Sequence, residues 1–237
     1  MNDKKFSIIY IISAIILTLS IFLSTVLFTA MDASFYHDEH LKLDTPTYSE
    51  LTIAQLDEAM DLLLRYIKGE VKSLDCIMQD QFTKERFELF NKKEKTHMVD
   101  VKNLYQTVLY ITTISVFVFV TLSIFLFISR KKVAFLGFSF YFNRVSLGIA
   151  VVVGVILSIA FINFDFFWTN FHHLVFSNDL WLLDPFTDRL ITIVHAEVFF
   201  DLVMKIALRF ILLFGGLNLI CFLYQRFYNK KFEVEVV

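Results

Sequence analysis

Residues Leu104–Ile128 read LYQTVLYITTISVFVFVTLSIFLFI, without a single charge, and Arg130, Lys131 and Lys132 follow at once. As a helix rising about 1.5 Å per residue, this run is long enough to cross a hydrocarbon core of about 30 Å. Working outward from it, three further apolar runs appear. Phe6–Ala30 follows Lys4 and Lys5, Val145–Phe164 follows Arg144, and Leu202–Tyr224 precedes Arg226, Lys230 and Lys231. Phe6–Ala30 exceeds the roughly 7–15 apolar residues of a signal-peptide core, so it reads as an uncleaved anchor. The chain has 237 residues, 57% of them hydrophobic, with 29 Phe and a mean hydropathy of +0.62. Lipid, rather than one large core, is where such a chain buries its apolar surface. The sequence therefore predicts an all-α membrane protein with four transmembrane helices.

Charge orients these spans. An N-terminus inside the cell puts nine Lys/Arg on three short cytoplasmic segments, as the positive-inside bias requires. The segments left outside, 31–103 and 165–201, carry 21 Asp/Glu against 11 Lys/Arg. The organisation that follows is an N-terminal transmembrane helix (1–30), an extracellular cap (31–103) and a three-helix membrane region (104–237). Both termini are cytoplasmic, the protein is multi-pass, and the membrane is the plasma membrane. A net charge of −2 points away from nucleic acid. Cys76 lies in the polar segment and Cys221 deep in the last apolar run, so no disulfide framework is expected.

In the cap, Thr52 and Gln55 form a capping-box start for a helix over Thr52–Lys68, and Gly69 is a natural stop. Leu56, Met60, Leu63, Leu64 and Ile67 recur along it at helical spacing. A second helical stretch is expected over Thr83–Asn103, running into the second span, and the absence of strand-like alternation predicts a helical cap. Residues 165–201 combine Phe and Trp with Asn, Asp, Pro and His, and no run in them is long enough to cross. That composition suits a segment at headgroup level facing the cap.

Four constellations could carry chemistry. Glu94, His97 and Asp100 fall at successive i, i+3 steps and share a helix face, where carboxylates would favour and orient a charged imidazole; from spacing alone a solvated helix face with a Glu–Lys pair is the commoner reading. His172 and His173 sit among aromatic residues at membrane level, where an imidazole needs a partner unless its tip reaches water. His37 and His40 bracket Asp38 and Glu39, a weak zinc pattern better explained as an exposed stretch beside the membrane. Asp201, Lys205 and Arg209 follow at i, i+4, i+8, with Asp201 pairing Lys205 and Arg209 turned inward toward a headgroup or carbonyl. No role is assigned to His37, His40 or His195. Gly-x-Ser-x-Gly, His-Glu-x-x-His, P-loop and Rossmann glycine patterns are missing from the sequence.

The pattern Glu94-x-x-His97-Met-x-Asp100-Val, taken with Phe171-His172-x-x-x-Phe176 and Trp181-x-x-Asp184-Pro185-x-x-Asp188-Arg189-Leu190-Ile191, resembles the lipoprotein intramolecular transacylases (Lit) of Gram-positive bacteria. The resemblance covers essentially the whole chain. It implies an acyltransferase that moves the sn-2 acyl chain of a diacylglyceryl lipoprotein onto the α-amino group of that lipoprotein's N-terminal cysteine, giving the lyso form. His97 and His172 are the implied catalytic residues. Glu94, Asp100, His173, Trp181, Asp188, Arg189 and Arg209 are supporting or substrate-binding candidates, with Glu94 and Asp100 orienting His97. No metal or other cofactor is required, the partners are the diacylated lipoprotein and membrane lipids, and a monomer is expected. A neutral imidazole of reference pKa about 6.5 can take a proton from an amine of pKa about 8 as it attacks, and a second imidazole can return one to the leaving oxygen. Two other classes fit the composition: a metal-dependent lipid or lipoprotein hydrolase using several of His37, His40, His97 and His172, and a non-catalytic membrane subunit that docks a partner through its aromatic segment.

Overall fold

The computed structural model describes residues 4–81 and 83–235, with side chains through Tyr228. It is predominantly helical: α1 (Lys4–Ala30), α2 (Ala33–Lys42), α3 (Thr45–Ser49), α4 (Ile53–Lys68), α5 (Lys92–Arg130), α6 (Ala134–Ile162), α7 (Phe164–Val175), α8 (Leu190–Ile193) and α9 (Ala196–Glu235). Three helical stretches are long and apolar enough to cross a membrane: Lys4–Ala30, Lys92–Ile162 and Ala196–Tyr228. The middle one is broken by a tight 3-10 turn over Lys131–Val133, where Lys131 takes a positive φ of 48°. The cations placed after the second apolar run thus sit on the break. The Lys230 and Lys231 side chains, counted in the charge bias, lie outside the described residues.

The chain divides into two compact units. One comprises residues 1–26, 110–158 and 206–237, the other 27–109 and 159–205. In the first, Ala14, Phe142, Phe210, Phe214 and Cys221 form the buried centre. Here α1 and α6 approach closely at Gly137, where a Cβ would lie within 2.5–2.7 Å of the Tyr10 ring. Tyr10 stacks on Tyr141 at 5.8 Å, and the Tyr141 hydroxyl donates to Ser7 Oγ at 2.6 Å.

In the second unit, α4 follows the capping box: the Gln55 N–H donates to Thr52 Oγ1 and the Thr52 N–H to Gln55 Oε1. Leu56, Met60, Leu63, Leu64 and Ile67 are buried, and Gly69 ends the helix at φ 86°. The expected helix over Thr83–Asn103 begins only at Lys92. Before it, β1 (Ile77–Gln79) pairs antiparallel with β2 (Arg86–Glu88). Each strand is three residues long, too short for period-two alternation to show. The Asp80 carboxylate accepts the Thr83 N–H, and Lys84 adopts the left-handed region that a tight reversal needs. What starts α5 is a second capping box: Glu94 N–H donates to Asn91 Oδ1 at 3.0 Å, and Asn91 N–H to Glu94 Oε2 at 2.6 Å.

The Asp201–Lys205 pairing also differs from the sequence reading. Asp201 accepts from Lys42 at 2.6 Å, and Lys205 instead faces Asp32 at 3.6 Å and the Phe35 ring at 4.6 Å. Tertiary packing of α2 offers each of them a partner that sequence spacing cannot show.

Candidate active site

His97 lies one turn beyond the α5 capping box, and His172 lies on the last turn of α7. Both are 7% exposed, and their ring centroids are 6.5 Å apart. Asn163 caps α7, accepting the Phe166 N–H at 2.9 Å, and sets the helix that carries His172. One turn back, the Trp168 carbonyl accepts from His172 Nδ1 at 2.8 Å. A carbonyl can only accept, so this bond fixes the proton on Nδ1 and leaves Nε2 as the lone-pair nitrogen. Aromatic rings complete the walls: Trp181 stacks on His172 at 4.7 Å, Trp168 meets it edge-on at 4.7 Å, and Phe176 lies 5.3 Å from His97.

Burial sets the charge state of both rings. Desolvation, reinforced by the neighbouring His172 and opposed by Asp100, holds His97 down at about 4. Desolvation likewise lowers His172, against the effect of its bond to the Trp168 carbonyl. The sequence expectation of an imidazole charged by flanking carboxylates is therefore reversed, and both rings are neutral at pH 7. Among the described residues neither ring nitrogen of His97 has a hydrogen-bond partner, and its Nδ1 is buried, as is the Trp181 indole nitrogen.

The carboxylates serve elsewhere. Glu94, 1% exposed, closes the capping box with one oxygen and accepts the Leu190 N–H with the other; burial pushes its carboxyl up. Asp188, also buried, accepts from Asn91 Nδ2 at 2.7 Å, Lys93 Nζ at 3.0 Å and its own loop's Asp184 N–H at 2.8 Å. Burial alone would raise Asp188, and these three donors outweigh it and hold the group below the usual carboxylate range. Together Glu94 and Asp188 latch the start of α5, the helix that carries His97, to the segment 184–190. Asp100 accepts from Asn178 Nδ2 at 3.0 Å, a second tie of the same kind. Neither Glu94 nor Asp100 hydrogen-bonds to the imidazole.

The remaining candidates separate. His173 is exposed and meets only the edge of Trp181, at 5.0 Å, so of the two adjacent histidines His172 faces His97. Arg189 lies over the Phe87 ring at 4.3 Å and donates to the Ser49 carbonyl at 3.5 Å, pinning β2 and α3. Arg209, half-buried on α9, belongs to the first unit. His37 pairs with Asp57 at 2.9 Å. His40 is fully buried rather than exposed, its Nε2 bonded to the Ile193 carbonyl at 3.1 Å. His195 bonds to Thr45 and Glu197. Among the described residues no three His, Cys, Asp or Glu side chains converge as metal ligands. Asn91, Lys93 and Trp168 were missed in the sequence; only Asn91 carries a local signal there, the Asn-x-x-Glu spacing of its capping box.

Apolar helices long enough to cross a membrane, with two imidazoles brought together inside aromatic walls, describe an integral membrane protein with a candidate site for chemistry. The chain belongs to the lipoprotein intramolecular transacylase family, Lit, whose family model matches residues 11–200, and it is an acyltransferase of that family. Among solved structures it is similar to the membrane-integral lipoprotein intramolecular transacylase Lit from Bacillus cereus. That match has 21% identity and a TM-score of 0.75 over 96% of this chain and 97% of that one. Structures of the same Bacillus cereus protein with a histidine-to-arginine and a histidine-to-alanine mutation match at 23% identity, with TM-scores of 0.68 and 0.69. They cover 98% and 96% of this chain and 94% of each of those. Likeness at this identity carries the fold; the family comes from the sequence model. No curated protein matches by sequence.

Proposed function

We propose that the chain transfers the sn-2 acyl group of a diacylglyceryl lipoprotein to the α-amino group of its N-terminal cysteine, with His172 and His97 as the catalytic pair. The observation that carries this reading is the pair itself: two buried, neutral imidazoles whose ring centroids lie 6.5 Å apart, near enough for one substrate group to meet both. Nucleophile and ester share one substrate molecule, so orientation alone can be worth effective molarities of about 10⁵–10⁸ M. The amine nitrogen attacks the ester carbonyl carbon and loses its proton to His172 Nε2. The C–O bond to the glyceryl carbon skeleton's oxygen then breaks, and that oxygen takes the same proton back. His97 carries no spare proton at pH 7, so its part is to donate its ring N–H to the carbonyl oxygen as negative charge develops there. The aromatic walls exclude the water that would otherwise hydrolyse the ester.

In this reading the interrupted stretch Lys92–Ile162 crosses the membrane twice, because its 71 residues far exceed the roughly 20 that one crossing needs. That makes four spans, with both termini and the Lys131 turn cytoplasmic by the positive-inside bias, the imidazole site extracellular, and the protein acting as a monomer. Mass spectrometry of a reporter lipoprotein's N-terminal peptide, from cells with and without this chain, tests the reaction. An N-acyl, mono-O-acyl cysteine appearing only with the chain supports it, whereas release of free fatty acid points to a hydrolase.

A further inference from the structure

A single turn such as α8, four residues long, closes too few hydrogen bonds to offset the order it imposes, so its place is set by what holds its ends. Its first N–H, on Leu190, is accepted by Glu94 Oε1, and its last carbonyl, on Ile193, accepts from His40 Nε2 at 3.1 Å. The two holders come from different helices. Glu94 closes the capping box of α5 three residues before His97, and His40 stands on α2, 153 residues before Ile193 in the chain. Leu190 and Ile193 are both buried, so water does not stand in for either partner.

The bond to Ile193 also fixes the His40 tautomer. A carbonyl only accepts, so the proton sits on Nε2 and the lone pair on Nδ1, which among the described residues is buried without a partner. Desolvation outweighs that bond and the pull of Asp57 on α4, and with His37 and His195 adding to it the ring stays neutral. As core filling this is a poor choice. An imidazole with one nitrogen satisfied and the other orphaned gains about as much as it loses, and an aliphatic side chain would spare the second cost. What the ring supplies is a direction, an N–H aimed at the carbonyl that ends α8. We propose that His40 is a positioning residue for the acyl shift, fixing α8 so that Leu190 meets Glu94 and the start of α5 keeps His97 in register with His172. The role rests on the reaction proposed above, and hydrogen bonds carry it from α2 through α8 to α5.

Steady-state kinetics of the purified full chain in bilayer discs, with a synthetic diacylglyceryl-cysteine peptide as substrate, test this through three variants. Glutamine places its amide nitrogen where His40 has Nε2, asparagine places its own where His40 has Nδ1, and leucine fills the site with no amide. His40→Gln is expected to stay within about threefold of wild type, while His40→Asn and His40→Leu each lose about 10–10²-fold in kcat with KM changed by less than about twofold. Adding Glu94→Gln to either slow variant is expected to cost little more, because both changes release the same turn. The pH–rate profile is independent of how much protein is folded. With the start of α5 released, water reaches the imidazoles, so the acid-side break of the slow variants is expected to move up toward about 6.5, while His40→Gln keeps the wild-type break. Equal rates for His40→Gln and the other two, losses that add to those of Glu94→Gln, or an unmoved break overturn the positioning role. A wild-type chain that makes no N-acyl product overturns the reaction reading, and the role with it.

Discussion

At the scale of single residues, the two imidazoles differ in what they can do, and substitution separates them. The tautomer of His172 is set by the Trp168 carbonyl, and in the proposed mechanism its free Nε2 takes the amine proton. Glutamine has no such base, so His172→Gln is expected to lose about 10²–10⁴-fold in rate. His97 is asked only for a donor. His97→Gln, which keeps an N–H, should stay within about tenfold of wild type, while His97→Ala should fall about 10²–10³-fold. Initial rates with purified variants distinguish these outcomes, and equal losses for His97→Gln and His97→Ala contradict the donor role. The pH dependence carries the same information. Below the amine's reference pKa of about 8 the rate should fall tenfold per pH unit, because only the free amine attacks. A base of ordinary pKa would steepen that fall to a hundredfold per unit below about pH 6.5. Burial lowers both imidazoles, so the break is expected clearly below pH 6.5 in a plot of log rate against pH.

At the scale of elements, a latch ties the helix that bears His97 to the segment 184–190. Glu94 accepts two backbone N–H groups, one within α5 and one from Leu190. Glu94→Gln places an amide N–H₂ against one of those donors and leaves it buried without an acceptor, at a cost of about 1–3 kcal/mol. Thermal unfolding in detergent should show the lower midpoint, and activity should fall with it as His97 loses its register against His172. The apolar runs and α4 were legible in the sequence because their signals are local: uncharged length, a Thr52–Gln55 capping box, a stop at Gly69. The histidine pair could be named from motif resemblance. The neutral state of His97 could not, because its ring is buried against His172 and Phe176, between seventy-five and eighty positions away in the chain. The latch was hidden for the same reason: Asn91 and Lys93 meet Asp188 across more than ninety residues. Glu94 was misread as a partner of His97 since i, i+3 spacing shows a shared face and not which neighbour the carboxylate prefers. The hairpin at Ile77–Gln79 and Arg86–Glu88 escaped because three-residue strands carry no period.

At the scale of the whole molecule, the candidate site falls within one of the chain's two compact units. The unit containing 27–109 and 159–205 holds both imidazoles, the aromatic walls and the latch. The account's central claim is that the paired imidazoles perform an intramolecular acyl shift. It is tested most directly with purified chain and a synthetic diacylglyceryl-cysteine peptide carrying distinguishable acyl chains at sn-1 and sn-2. Tandem mass spectrometry of the product follows for wild type, His97→Ala and His172→Ala. The predicted result is a wild-type product with the sn-2 chain on nitrogen and the sn-1 chain still on glycerol, and substrate essentially unchanged with either variant. Conversion at the wild-type rate by both variants, or a product carrying the sn-1 chain on nitrogen, contradicts it.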